Sequence, residues 1–144
     1  MKISTKGRYG LRLMVDLAAN ATTAPISLKE VAHRQDISDK YLEQIVTQLN
    51  RAGLVKSVRG AQGGYTLSRP SDEITVGDVL RVVEGSLSLV DCVDDNSCCD
   101  KSSSCATSYV WKKIKFAVEG VVDNISLKDL VDRSNEQAEF TYII

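Results

Sequence analysis

Apolar residues recur at helical spacing in several stretches of the chain and alternate in only one region. Leu11, Met14, Val15 and Ala18 predict a helix over residues 8–20, with Asn20 as its stop. After the polar ATTAP, Ser27 and Glu30 stand at capping-box spacing, where hydroxyl and carboxylate reciprocally satisfy the free amides of a helix start. That helix is short, carrying Leu28, Val31 and Ala32 to about Arg34. Ser38 opens a longer one, with Tyr41, Leu42, Ile45, Val46 and Leu49 in one apolar stripe and Gly53 suited to its C-terminal cap. Residues 54–58 and 65–68 alternate like strands around RGAQGG, whose glycines permit a tight hairpin tip and a close approach of backbone to a partner. Two helices joined by a tight turn, then a glycine-rich hairpin tipped with arginine, make a winged helix-turn-helix.

The pattern changes after Pro70. Thr75 and Asp78 form another capping box, for a helix with Val79, Leu80, Val82 and Val83 that Gly85 ends. A polar loop follows. A long helix then starts near Ser108, with Trp111, Ile114, Ala117, Val118, Val121 and Val122 on one side. Ser126 and Asp129 cap a last short helix with Leu127, Leu130 and Val131, and from Ser134 onward no period is clear. The expected architecture is mainly α with a small β-hairpin wing: a winged helix-turn-helix over residues 1–85, a cysteine-rich loop over 86–106, a long helix and a short terminal one over 107–131, and a tail over 132–144. The stripe on the long helix predicts a dimerisation helix packed on its symmetry mate; the alternative is a helix folded back onto its own domain.

Charge sharpens this reading. The net charge of −1 hides a basic half, residues 1–71 at +6, and an acidic half, residues 72–144 at −7. A basic winged domain is suited to a polyanion, here a double-stranded DNA operator. The N-terminal part of the second helix of such a motif reaches base edges in the major groove, which selects Ser38, Asp39, Lys40, Tyr41, Glu43 and Gln44. Gln44 can pair with adenine and Glu43 with cytosine, while Ser38, Lys40 and Tyr41 suit phosphates; Tyr41 also borders the apolar stripe. Arg51 can reach a phosphate. Arg59, with Gly60 and Gly63 beside it, is the candidate for minor-groove insertion, and Lys6 and Arg8 for further phosphate contacts. No nucleophile–base pair stands out, and RGAQGG lacks the Lys-Ser/Thr ending of a phosphate loop, so an enzyme is not expected. The start MKISTKGRYG lacks an apolar run and no stretch approaches a membrane span, so a cytoplasmic location without membrane attachment is expected.

All four cysteines fall within residues 92–105, as Cys92, Cys98, Cys99 and Cys105. In a reducing compartment, structural disulfides are the weaker reading. Structural zinc favours C-x₂₋₄-C knuckles, which are absent; the spacings are Cys92-x₅-Cys98 and Cys99-x₅-Cys105. An iron–sulfur cluster tolerates looser spacing, and a thiol switch needs a lowered pKa, which Asp91, Asp94, Asp95 and Asp100 should oppose.

STKGRYGLRLM, SDKYLEQIV, AGLVKSVRGAQGGY and ITVGDVLRVVEG together resemble the IscR-type winged-helix regulators, over about residues 1–131. The resemblance implies a homodimeric repressor, joined through the long helix. Its operator binding would respond to a [2Fe–2S] or [4Fe–4S] cluster in the loop, with [2Fe–2S] favoured. It further implies control of iron–sulfur biogenesis genes and contact with cluster donor proteins. Within that family CymR-like members lack the loop cysteines, and NsrR-like members carry an aspartate near the start, where this chain has Arg8. IscR-like members carry C-x₅-C-x₅-C-x-x-H. By that pattern Cys92, Cys99 and Cys105 are the ligands, with Cys98 as alternative middle ligand. Ser108 takes the histidine's place, so the fourth ligand is open; the lone His33 falls in the helix-turn-helix. The alternatives are a cysteine-metabolism or nitric-oxide/redox-responsive repressor of the same fold, or a module that binds another enzyme.

Overall fold

The computed structural model describes residues 2–95, 97, 100, 101 and 104–143. Helix α1 (Thr5–Ala19) starts earlier than its apolar period indicates, because Ser4 caps it: the Ser4 hydroxyl accepts from the Gly7 N–H at 3.1 Å. Asn20 ends it, as expected. Helix α2 (Leu28–Gln35) carries both bonds of its capping box and stops at Asp36, which takes the left-handed conformation at φ 54°. Helix α3 (Asp39–Arg51) begins at Ser38, whose hydroxyl accepts from the Tyr41 N–H at 3.2 Å, and buries Leu42, Ile45, Val46 and Leu49. Each of those side chains contributes roughly 1.5–3 kcal/mol by leaving water.

Strands β1 (Val55–Val58) and β2 (Gly64–Leu67) pair antiparallel, Val55 with Leu67 and Val58 with Gly64. The hairpin is also pinned on its other edge, a contact absent from the sequence expectation. Ile26 and Tyr65 exchange two backbone hydrogen bonds, at 3.0 and 2.8 Å. A single 3₁₀ turn (Ser71–Glu73) leads to helix α4 (Val76–Val83), opened by the Thr75–Asp78 box and burying Val79, Leu80 and Val83. The cysteine stretch, read as loop, contains one helical turn, α5 (Asp91–Asp94).

Helix α6 (Ser108–Val122) has no buried residue. The expected single stripe is two faces: Trp111, Ile114, Val118 and Val122 are half-buried, whereas Tyr109, Val110, Phe116, Ala117 and Val121 are exposed. Helix α7 (Leu127–Ile143) corrects the expectation of a short helix and a tail without structure, since it continues through residues 132–143. Its first turn, capped by Ser126 and Asp129, returns to the winged domain: Leu127 is completely buried and its N–H donates to the Ile74 carbonyl at 2.9 Å. One apolar cluster joins α1, α2, α3, β1, α4 and Leu127. Among the described residues no helix is long and apolar enough to cross a membrane.

Candidate nucleic-acid interface and cysteine loop

Burial of Leu42, Ile45, Val46 and Leu49 turns the opposite side of α3 to solvent, so Lys40, Glu43, Gln44, Thr47 and Arg51 line up exposed at one-turn spacing. Asp39 is exposed at the helix start. Ser38 spends an acceptor lone pair on the cap and keeps its hydroxyl proton for a donor contact. Tyr41 is half-buried, its ring edge-on to Tyr9 at 5.6 Å between centroids, while the Arg12 guanidinium sits 5.3 Å from the Tyr9 ring. Its body is therefore packing. At the wing, Arg59 and Gly60 are exposed, and the tip is closed by a 3.0 Å bond from the Gly63 N–H to the Gly60 carbonyl. A side chain at Gly63 would lie 2.2 Å from the Val58 carbonyl oxygen. On α1, Lys6 is half-buried; Arg8 is exposed and lines a cleft of about 340 Å³ with Arg12, Gln35 and Leu130.

Sequence reasoning missed what holds α3 in place. Asp16 is 4% exposed. The Arg34 guanidinium grips its carboxylate, with Nη2 2.7 Å from Oδ1 and Nε 3.0 Å from Oδ2, and Gln35 Nε2 donates to Oδ2 at 2.9 Å. Arg12 Nε in turn donates to Gln35 Oε1 at 3.1 Å, and its Nη2 to the Gln35 carbonyl. This network clasps α1 to the last turn of α2, directly before the Asp36 bend that aims α3. The Asp16 hydrogen bond holds Arg34 above its ordinary pKa.

In the cysteine loop, Cys92 lies half-buried on α5 and Cys105 half-buried just before α6; Cys98 and Cys99 lie outside the described residues. Four nearby aspartates predict raised thiol pKa values. Cys105 does the reverse: the Thr107 hydroxyl, 3.0 Å from its sulfur, lowers the thiol below its usual range, assisted by the backbone N–H groups of Ser108 and Thr107 at the start of α6. Ser108 donates its hydroxyl to the Cys105 carbonyl at 2.7 Å, keeping oxygen lone pairs free. Asp94 is held by Ser86, Ser88 and Lys115, which lower its pKa to about 2. Among the described residues, no group of three or more His, Cys, Asp or Glu side chains stands together as a metal site. His33 is exposed on α2. The donor chemistry of the described thiols fits iron: both are partly accessible, and Cys105 is shifted toward the thiolate that ligates it.

A family profile described as Rrf2, iron-dependent transcriptional regulator, matches residues 3–133. The transcriptional regulator CymR of Bacillus subtilis (strain 168) is 45% identical over 139 residues, covering 96% of each chain. The solved structure of CymR, the global cysteine regulator of B. subtilis, aligns at a TM-score of 0.77 over 92% of this chain and 98% of that one. The solved structure of T. potens IscR also aligns at 0.77, with 45% identity over 95% and 90%. IscR of Klebsiella pneumoniae (strain 342) is 37% identical over 132 residues, 92% of this chain and 80% of that one.

Proposed function

This chain belongs to the Rrf2 family of helix-turn-helix transcriptional regulators, and from that premise we propose that it is a cytoplasmic, dimeric repressor whose operator binding answers to an iron–sulfur cluster in the Cys92–Cys105 loop. The observation that carries the DNA half is the exposed polar row on α3 beside a glycine-tipped wing. Glu43 and Gln44 read base edges, Ser38, Lys40, Tyr41, Arg51, Lys6 and Arg8 hold phosphates, and Arg59 enters the minor groove with Gly60 and Gly63 allowing close backbone approach. Arg59→Ala should weaken operator binding by at least ~1 kcal/mol, the scale of one good groove contact. Unchanged affinity at matched salt would remove Arg59 from the interface. Binding that falls steeply with salt supports a DNA ligand, whereas a salt-insensitive complex with another protein would favour an interaction module.

A second copy supplies the dimer. The exposed side of α6 carries Tyr109, Val110, Phe116 and Val121, with Tyr109 63% and Phe116 67% exposed, and the small residues Ala117 and Gly120 after Phe116 permit close helix approach.

We assign the cluster to Cys92, Cys99 and Cys105, with Cys98 as alternative to Cys99 and Ser108 at the fourth position. A [2Fe–2S] cluster is favoured over [4Fe–4S], and a cluster donor protein is the partner that would load it. When bound, the cluster would supply a redox- and iron-responsive crosslink of the loop. The chain's own part is to present thiolates: Thr107 and the α6 N-terminus favour the charged form of Cys105. The assignment predicts coloured protein on anaerobic isolation or reconstitution with iron and sulfide, and Cys92→Ala or Cys105→Ala should abolish the colour. Colourless reconstituted wild type that still binds DNA would sink it, with control of iron–sulfur biogenesis genes. A second reading, a cysteine-metabolism or redox-responsive repressor, is supported by the likeness to CymR, whose 45% identity equals that of T. potens IscR, and by the lowered Cys105 pKa. Its signature is colourless protein whose operator affinity changes on thiol oxidation.

A further inference from the structure

Five charged side chains form a continuous ladder from the cysteine loop to the winged domain, and none of them is among the proposed DNA contacts. Asp94 stands two residues after Cys92, on the same helical turn. Its Oδ1 meets Lys115 Nζ of α6 at 3.1 Å and accepts from the Ser88 hydroxyl at 2.6 Å; its Oδ2 accepts from Ser86. One turn along α6, Glu119 is shared, with Oε1 3.7 Å from Lys115 Nζ and Oε2 3.5 Å from Arg81 Nη2 of α4. Arg81 also pairs in two-pronged fashion with Asp123, at 2.6 and 2.9 Å.

Each member except the two ends serves two partners. Glu119 Oε1 is buried and accepts no hydrogen bond, so its charge rests on the nearby cations. Displacement of Lys115 with the loop would leave Glu119 to Arg81 alone, and Arg81 would then be drawn along α6 away from Asp123. Helix α4 must register such a pull. At Gly77 the side chain of Asp123, the residue that ends α6, occupies the space a Cβ would need, with Oδ1 1.9 Å away. On the other side of α4, Val79 and Val83 are packed in the core that also seats α1 and α3.

We infer that Lys115, Glu119 and Arg81 are positioning residues that carry the state of the cysteine loop to α4 and thereby to the recognition helix. The inference rests on the proposed reading of the loop as the sensory input. It treats the DNA-binding domain and the loop as two sites joined by a coupling free energy, which is reciprocal and resides in a ratio of affinities.

The test measures that ratio. A fluorescent duplex that the wild-type full chain selects from a random pool is titrated at matched salt with protein in two loop states. These are reconstituted with iron and sulfide against metal-free, and reduced against iodoacetamide-blocked. In wild type at least one pair should differ by about fivefold or more. Lys115→Met and Glu119→Gln should bring that ratio to within about twofold of unity, and Lys115→Arg should keep it. A purely structural role would weaken both states alike and leave the ratio intact. If Lys115→Met lowers the folded fraction, Glu119→Gln, which conserves shape, carries the test. A wild-type ratio that survives in both variants overturns the ladder and spares the sensory reading; no wild-type difference in either pair overturns both.

Discussion

Replacing Arg34 with methionine is expected to cost about 3–5 kcal/mol of folding stability, the scale of breaking an ion pair with one buried partner. The reason is asymmetry of burial. Arg34 keeps 36% of its side chain exposed, whereas the Asp16 side chain it grips keeps 2%. Methionine retains most of the aliphatic stem, so the loss isolates the charge. Asp16 would be left in the core with Gln35 at 2.9 Å and Asn20 Nδ2 at a marginal 3.5 Å, neither of which compensates a full charge. Asp16→Ala should cost less, about 2–3 kcal/mol, the scale of lost hydrogen bonds to a charged group, because the freed guanidinium can turn into water. Urea denaturation of both variants checks the order. A penalty for Arg34→Met below that for Asp16→Ala would mean that the carboxylate is not the buried partner. Operator affinity should fall in both, since this clasp precedes the Asp36 bend that orients α3.

The clasp also marks the boundary of what the sequence makes legible. The Ser27–Glu30, Thr75–Asp78 and Ser126–Asp129 caps are readable because the partners lie three residues apart and need no tertiary context. Asp16 and Arg34 are eighteen residues apart, and Asp16 becomes buried only when α2 crosses α1. The same limit applies at the wing: its hairpin follows from alternation and glycines, but its second anchor at Ile26 follows from neither. On α6 the helical period is visible, yet a period cannot say that Trp111 and Val118 turn inward while Phe116 and Val121 face away. On α7 the signal fails differently. Residues 132–140 are exposed all round, so no apolar period exists there, and helix-favouring Glu, Gln and Ala sustain the helix instead.

At the candidate site, residue types were legible and environments were not. The clustering of four thiols and the exposed row of α3 are properties of order along the chain. The pKa of Cys105 is not. Counting aspartates gives the wrong sign, because long-range charge on an exposed loop is screened, while a hydroxyl 3.0 Å from the sulfur and the amides of a helix start act at contact. The ladder from Asp94 to Asp123 is equally invisible in order, since it joins α5, α6 and α4 through side chains up to forty-two residues apart.

Gly64→Ala is expected to damage DNA binding strongly for so small a substitution. Gly64 has φ 154°, and a Cβ there would lie 2.3 Å from the Ile26 carbonyl oxygen and 2.8 Å from the Ser27 nitrogen. These are backbone atoms and cannot rotate aside, so the Ile26–Tyr65 bridge must open. Its two hydrogen bonds contribute about 0.5–1.5 kcal/mol each, and the positive φ costs a further ~1–2 kcal/mol for a residue with a Cβ. The expected loss is therefore about 3 kcal/mol. Freed from Ile26, the hairpin no longer holds Arg59 at a fixed angle to α3, and operator affinity should fall by about tenfold or more, beyond the Arg59→Ala effect, because wing backbone contacts go with it. Gly53→Ala is the control. Gly53 also has positive φ, at 79°, but nothing lies within 4 Å of its Cβ position, so that variant should lose only about 1–2 kcal/mol and bind DNA nearly as wild type. Comparable affinities for the two variants would show that backbone strain alone, and not the seat at Ile26, governs the wing.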